Sequence, residues 1–185
     1  YMMAAAATCG NVLIKNIIPK HMEAITAKLR EMGVEIIEEE EGMRVIGKRP
    51  IKGVMVKTLP YPGFPTDLQQ PMAVLMTLAE GSSAITESIF ENRFKYAEEL
   101  RKMGAEVSIN GRVANITGVK TLSATKIKAT DLRAGAAMVI AALVADGETK
   151  ITDIHYIDRG YENLEENIRN LGGIIRRETV KVQED

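Results

Sequence analysis

The chain has 185 residues, of which 45% are hydrophobic and 26% charged, which fits one soluble globular domain with room for a proper core. A net charge of −1 argues against a nucleic-acid or membrane surface, and one cysteine with two scattered histidines, His21 and His155, excludes a disulfide framework and a multi-cysteine or zinc-type metal site. The longest apolar run, over 134–145, falls well short of the roughly twenty residues needed to span a bilayer, and a lone thiol makes a reducing cytoplasm the expected location.

Met2-Met3-Ala4-Ala5-Ala6-Ala7 lacks the basic flank of a signal peptide and reads as a helix already under way. It ends at Thr8-Cys9-Gly10, where glycine can take the left-handed cap, and a strand is expected over 12–15. An amphipathic helix over 21–32 is closed by Gly33, and the run Glu38-Glu39-Glu40-Glu41 fits a solvated hairpin tip. A short strand over 54–58 leads into Tyr61-Pro62-Gly63-Phe64-Pro65-Thr66-Asp67-Leu68-Gln69-Gln70, a rigid turn running into a helix start. The helix that follows carries Met72-Ala73-Val74-Leu75-Met76 and has no polar face, so it belongs in the interior.

The same order then recurs. Ala79-Glu80-Gly81 caps the apolar helix, a strand covers 84–86, and Leu100-Arg101-Lys102-Met103-Gly104-Ala105-Glu106-Val107 matches Leu29-Arg30-Glu31-Met32-Gly33-Val34-Glu35-Ile36. Asn110-Gly111 is the favoured two-residue hairpin signal, a strand over 125–129 follows, and Thr130-Asp131-Leu132 opens a second apolar helix with Ala136-Ala137-Met138-Val139-Ile140. After Ala145-Asp146-Gly147 come a strand over 150–152, a weaker match at Ile168-Arg169-Asn170-Leu171-Gly172-Gly173-Ile174-Ile175, and a strand pair expected over 173–182. The period of roughly seventy residues is that of a whole αβ module, and the divisions fall near 11–81, 82–147 and 148–185. The first copy opens on only the tail of an apolar helix, so the strand and helix start matching 54–70 are expected upstream of Tyr1. Amphipathic helices should cover the outside while apolar ones pack at the centre.

Chemistry concentrates at the helix starts. A cation in a first helical turn opposes the macrodipole, by about 0.3–1 kcal/mol, so Arg93, Arg133 and Arg159 need a reason for being there. Arginine forks bind phosphate or carboxylate in bidentate fashion, and exposed helix amides add to the pull. Against this stands a structural reading in which Glu91, Asp131 and Asp158 neutralise the arginines, and position alone does not separate the two. Asp67 and Asp131 sit where helix caps are favoured. Pro62, Gly63 and Pro65 distinguish Asp67 by fixing its backbone approach, and a rigidly held carboxylate can take a proton from a substrate hydroxyl. Cys9, at a helix end with no base beside it, is not read as a nucleophile.

Pro62-Gly63-Phe64-Pro65-Thr66-Asp67-Leu68-Gln69, Phe90-Glu91-Asn92-Arg93, Thr130-Asp131-Leu132-Arg133-Ala134 and Ile157-Asp158-Arg159-Gly160-Tyr161 together resemble the UDP-N-acetylglucosamine enolpyruvyl transferases, in family order and spacing. The resemblance covers essentially the whole chain and corresponds to the C-terminal part of those enzymes. It implies an α/β fold, an incomplete lobe of the inside-out α/β barrel built from repeated βαβαββ units, with 1–185 as a single C-terminal lobe. It implies transfer of enolpyruvyl from phosphoenolpyruvate to the 3-hydroxyl of UDP-N-acetylglucosamine in peptidoglycan precursor synthesis, with no metal and no cofactor. By motif, Asp67 would bind that hydroxyl and act as its base, and Ile89 would touch the nucleotide sugar. Arg93, Arg133 and Arg159 would meet the charges of phosphoenolpyruvate and of the tetrahedral intermediate, with Asp131 orienting Arg133 or helping proton transfer. The family's mobile-loop cysteine and amino-terminal Lys-Asn pair would lie in a missing N-terminal lobe, leaving this chain alone without turnover. Two other readings stay open: a 5-enolpyruvylshikimate 3-phosphate synthase-like enzyme, and a non-catalytic module that binds phospho-ligands.

Overall fold

The computed structural model describes residues 1–179. Helix α1 (Met2–Ala7) leads to β1 (Asn11–Lys15), a 3-10 turn (Pro19–Met22) and α2 (Glu23–Glu31), then the hairpin β2 (Glu35–Glu39) and β3 (Gly42–Ile46). Next come β4 (Met55–Lys57), a 3-10 turn (Thr66–Leu68), α3 (Gln69–Thr77), β5 (Ser82–Thr86) and α4 (Tyr96–Lys102). The hairpin β6 (Glu106–Asn110) and β7 (Val113–Thr117) is followed by β8 (Leu122–Ser123), β9 (Lys126–Lys128) and α5 (Leu132–Val144). The described chain closes with β10 (Ala145–Asp146), β11 (Lys150–Thr152), α6 (His155–Asp158) and α7 (Leu164–Asn170).

All nine residues of α3 are buried, including Gln69 and Gln70 in its first turn. The proline in that turn, Pro71, costs no intrahelical bond because the first amides of a helix have no partner within it. Met72, Leu75 and Met76 are fully enclosed, and each such side chain contributes about 1.5–3 kcal/mol of transfer free energy. Helix α3 packs against both α1 and α5, so apolar helices occupy the centre, as their lack of a polar face requires. The amphipathic α2 and α4 lie outside, against β2 and β6 respectively. A smaller cluster of Ala129, Val139, Ile157 and Ile168 joins α5 to α6 and α7.

Sheets wrap these helices. Strands β1-β3-β2 form one antiparallel sheet, and β4-β5-β7-β6 form a second in which β4 joins β5 in parallel. Two short parallel pairs, β8 with β10 and β9 with β11, complete the set. Strand β5 has partners on both sides, whereas β1 pairs only with β3 among the described residues. The glycine after each hairpin is pressed against the end of a central helix. Gly47 donates to the Gly10 carbonyl at 2.8 Å and Gly118 to the Gly81 carbonyl at 3.0 Å. A methyl group at Gly118 would lie 1.5 Å from the Ala79 carbonyl oxygen, so no other residue fits there.

Several local expectations shift. The second hairpin turns at Gly111-Arg112, because Asn110 is still paired with Val113, and Gly111 supplies the positive φ of 57°. In the first cap it is Cys9, at φ 55°, that adopts the left-handed conformation, while Gly81 and Gly147 do so in the later ones. Residues 173–179 carry no strand, and the remainder of the strand pair expected over 173–182 lies outside the described residues. Among the described residues, no helix is long and apolar enough to cross a membrane.

Candidate functional site

The Thr-Asp-Leu repeat builds two different structures. At the second copy Asp131 is the N-cap of α5, its Oδ1 accepting from the Arg133 and Ala134 amides at 2.9 and 2.8 Å. At the first copy Thr66–Leu68 form a 3-10 turn ahead of α3, no side chain caps it, and the carboxylate of Asp67 is free to reach outward. Its approach is fixed by the Gly63 amide bonding to Pro60 O at 2.8 Å and the Leu59 amide bonding to Phe64 O at 2.9 Å.

Two arginines meet Asp67. Arg93 Nη2 donates to Oδ1 at 2.6 Å and Arg133 Nη2 to Oδ2 at 3.0 Å. Arg133 Nη1 also donates to the Tyr161 hydroxyl at 3.1 Å, and this contact, together with Asp67, raises the guanidinium above its ordinary value. The arginines flank aromatic faces, Arg93 5.0 Å from the Phe90 ring centre and Arg133 5.8 Å from that of Tyr161. The Asp67 side chain keeps 47% of its exposure, so the cluster is open to a ligand from one side. Arg93 Nε, by contrast, is buried without a partner among the described residues.

The expected neutralising acids do not take part. Glu91 pairs with Arg112 and Asp158 with Arg177, whose guanidinium spans both oxygens of Asp158 and holds that carboxyl below its ordinary range. Only Arg133 lies in a first helical turn. Arg93 falls in the turns before α4, and Arg159 is the C-cap of the one-turn α6, where the dipole favours a cation. Arg159 is exposed, lies 5.6 Å from the Tyr156 ring centre, and makes no ion pair among the described residues. No hydrogen bond or ion pair among the described residues joins it to the Asp67 cluster. Ile89 is exposed on the loop after β5. A surface depression lined by Lys15, Asn16 and the tip of the first hairpin includes none of these residues.

One functional candidate has no counterpart in the sequence reading. Glu87, at the end of β5, is 1% exposed and accepts five hydrogen bonds. Thr58 Oγ1 (2.9 Å), Ile89 N (2.8 Å) and Phe90 N (3.1 Å) reach Oε1, while Thr66 Oγ1 (2.7 Å) and Gln69 Nε2 (3.0 Å) reach Oε2. Burial alone would raise this carboxyl, but the donors of Thr66, Phe90, Ile89 and Thr58 outweigh it and hold the group below its ordinary value. Gln69 Oε1 in turn accepts from the Tyr96 hydroxyl at 3.0 Å. Tyr96 is fully enclosed, and burial followed by the nearby charge of Glu87 pushes its phenol well above the ordinary range.

A protein-family model described as EPSP synthase (3-phosphoshikimate 1-carboxyvinyltransferase) matches residues 1–168. The chain is 56% identical over 177 residues to the UDP-N-acetylglucosamine 1-carboxyvinyltransferase of Clostridium botulinum, covering 96% of this chain and 42% of that protein. It is 53% identical over 177 residues to the UDP-N-acetylglucosamine 1-carboxyvinyltransferase of Desulfofundulus thermocisternus, covering 96% of this chain and 73% of that one. Among solved structures, the enolpyruvyl transferase NikO from Streptomyces tendae superposes with a TM-score of 0.85 at 26% identity, over 97% of this chain and 44% of NikO. The chain thus spans less than half the length of the Clostridium botulinum relative and of NikO.

Proposed function

The chain belongs to the EPSP synthase family of 1-carboxyvinyltransferases and has the mixed α/β fold of enolpyruvyl transferases, and from that premise we propose that it works as one wall of a UDP-N-acetylglucosamine 1-carboxyvinyltransferase cleft. The reaction moves enolpyruvyl from phosphoenolpyruvate to the sugar 3-hydroxyl, for peptidoglycan precursors in the cytoplasm. The hydroxyl oxygen adds to C2 of phosphoenolpyruvate while C3 of the opened double bond takes up a proton, and loss of a C3 proton with inorganic phosphate from C2 of the tetrahedral adduct restores the double bond of the enol ether.

The observation that carries this reading is the convergence of Arg93 and Arg133 on Asp67. A carboxylate that accepts a hydroxyl proton and two cations that bind phosphate and carboxylate must sit within bonding reach of one another. The arginines clasp Asp67 itself. An incoming phosphoenolpyruvate replaces that carboxylate on the guanidiniums, which leaves Asp67 to accept the proton of the sugar hydroxyl. Asp131 serves by fixing the start of α5 and, through the Arg133 amide, the root of that arginine. Ile89 faces the nucleotide sugar, and Arg159 reaches the phosphoenolpyruvate charges from α6.

The identity to two nucleotide-sugar transferases favours this acceptor over shikimate 3-phosphate. We assign the whole of 1–185 to a single barrel lobe of βαβαββ modules at 11–81, 82–147 and 148–185. The matching bonds of Gly47 to Gly10 and Gly118 to Gly81, and the central packing of α1, α3 and α5, support that division. The rest of the cleft comes from sequence outside this chain, so the chain by itself has no turnover.

The test is phosphate release by the complete transferase that carries this chain, offered phosphoenolpyruvate with either UDP-N-acetylglucosamine or shikimate 3-phosphate. Release with the nucleotide sugar alone is expected. Release with shikimate 3-phosphate instead, or anion binding with no transfer to either acceptor, would overturn the proposal.

A further inference from the structure

We propose that Glu87 is the positioning residue of this site: its ionised carboxylate sets the Asp67 turn and the Ile89-Phe90 loop at a fixed spacing, and so governs use of the nucleotide sugar. The inference rests on the transferase reading given above. Its basis is the origin of the five donors. Thr58 directly follows β4, Thr66 and Gln69 start the run into α3, and the Ile89 and Phe90 amides belong to the loop leaving β5. Thr66 is bonded directly to Asp67 in the chain, and Phe90 packs under Arg93. One side chain therefore ties the base to the segment that carries both its arginine partner and the sugar-facing Ile89.

The chemistry of the hub requires a carboxylate. Gln69 and the two backbone amides can only donate where they meet it, since Gln69 already uses its oxygen to accept from Tyr96. An amide in place of Glu87 satisfies the Oε1 side but presents N–H to Gln69 Nε2, donor against donor, in a fully buried place. The pair can also be exchanged. Moving the carboxylate to position 69 and the amide to position 87 restores one donor for each acceptor, and Tyr96 can still donate to position 69.

The experiment uses the complete transferase that carries this chain, with rates expressed per active site. Glu87→Gln is expected to lower kcat about tenfold and to raise KM for UDP-N-acetylglucosamine several-fold, while KM for phosphoenolpyruvate moves less. The double exchange Glu87→Gln with Gln69→Glu is expected to return both parameters to within about threefold of the parent. Thr66→Val, which removes one donor and leaves the other four, should shift them in the same direction and by less.

A purely structural role would reduce the folded fraction and leave both KM values where they were, and that result overturns the proposal. So does a folded Glu87→Gln enzyme with parental kcat and KM, or a folded exchange variant no better than the single one. If Glu87→Gln does not fold, Thr66→Val decides: parental constants in it sink the inference, and a raised nucleotide-sugar KM sustains it. A parent enzyme that fails to transfer to UDP-N-acetylglucosamine defeats the transferase reading itself, whereas an active parent with indifferent variants defeats only the role of Glu87.

Discussion

Asp67 and Arg133 stand 66 positions apart in the chain and meet at 3.0 Å, each at the start of a central apolar helix. Their meeting follows from the side-by-side packing of α3 and α5, which brings two helix starts to one end of the core. Arg93 closes the same carboxylate from a third direction.

Replacing Asp67 by asparagine keeps the shape and removes the proposed base. Turnover of the complete transferase should fall by about 10²–10⁴-fold, with a circular dichroism spectrum like that of the parent. Near-normal phosphate release by Asp67→Asn would remove this carboxylate from the mechanism.

Arg133 makes three kinds of contact, with Asp67, with the Tyr161 hydroxyl and with the Tyr161 ring. Lysine can reproduce the charge but not the fork, so Arg133→Lys should raise KM for phosphoenolpyruvate by about ten- to a hundredfold. As a stability element the ion pair is modest, because 36% of the Arg133 side chain and 47% of Asp67 remain exposed. A double-mutant cycle in urea should give a coupling of about 0.2–1 kcal/mol that shrinks as salt is added. A coupling several times larger would show that solvent screening has been overestimated here.

The helix starts were partly legible in the sequence. An aspartate before Leu132-Arg133-Ala134 reads as a cap and is one, and the proline-glycine approach to Asp67 marked it as something else. The ion partners were not legible, because the pairs span 26 and 66 positions and local charge neighbours suggested Glu91 and Asp158 instead. Nor was the place of Arg159, since a one-turn helix such as α6 is too short to show a period. Glu87 gave no local signal at all. A single glutamate between Thr86 and Ser88 at a strand end looks solvated, and its burial depends on Thr58, Thr66 and Gln69, none of which is close in sequence.

The Asp131 cap has a direct thermodynamic test. Asp131→Ala leaves the Arg133 and Ala134 amides without their acceptor and should cost about 1 kcal/mol in urea unfolding. An unchanged midpoint would show that solvent replaces the cap at no cost.

Acid should expose the Glu87 hub. Its folded-state pKa lies below the ordinary 4.5, so its contribution is complete above 4.5 and disappears as pH falls through the lower folded value. The urea midpoint of the parent chain should therefore drop on acidification in that window, and Glu87→Gln should show a shallower drop. Parallel acid limbs in the two proteins would contradict the assignment of an ionised Glu87.

Packing at the centre sets the scale of the largest losses. Leu75→Ala should cost about 2–5 kcal/mol, since the cavity in α3 has neighbours on all sides and cannot collapse freely. Gly118→Ala should be at least as severe, because the added methyl meets the Ala79 carbonyl rather than a movable side chain. A soluble, cooperatively unfolding Gly118→Ala protein of parental stability would disprove that close approach.

A helix buried on every side, such as α3, also decides how the chain comes apart. An intermediate that retains α3 after α1 or α5 has left it turns an apolar face to water, since no side of α3 is exposed in the fold. The modules are thus repeated in form yet indivisible in folding. Calorimetry should find one transition for the described core rather than a staircase, and a chain severed in the link between α3 and β5 should yield insoluble halves.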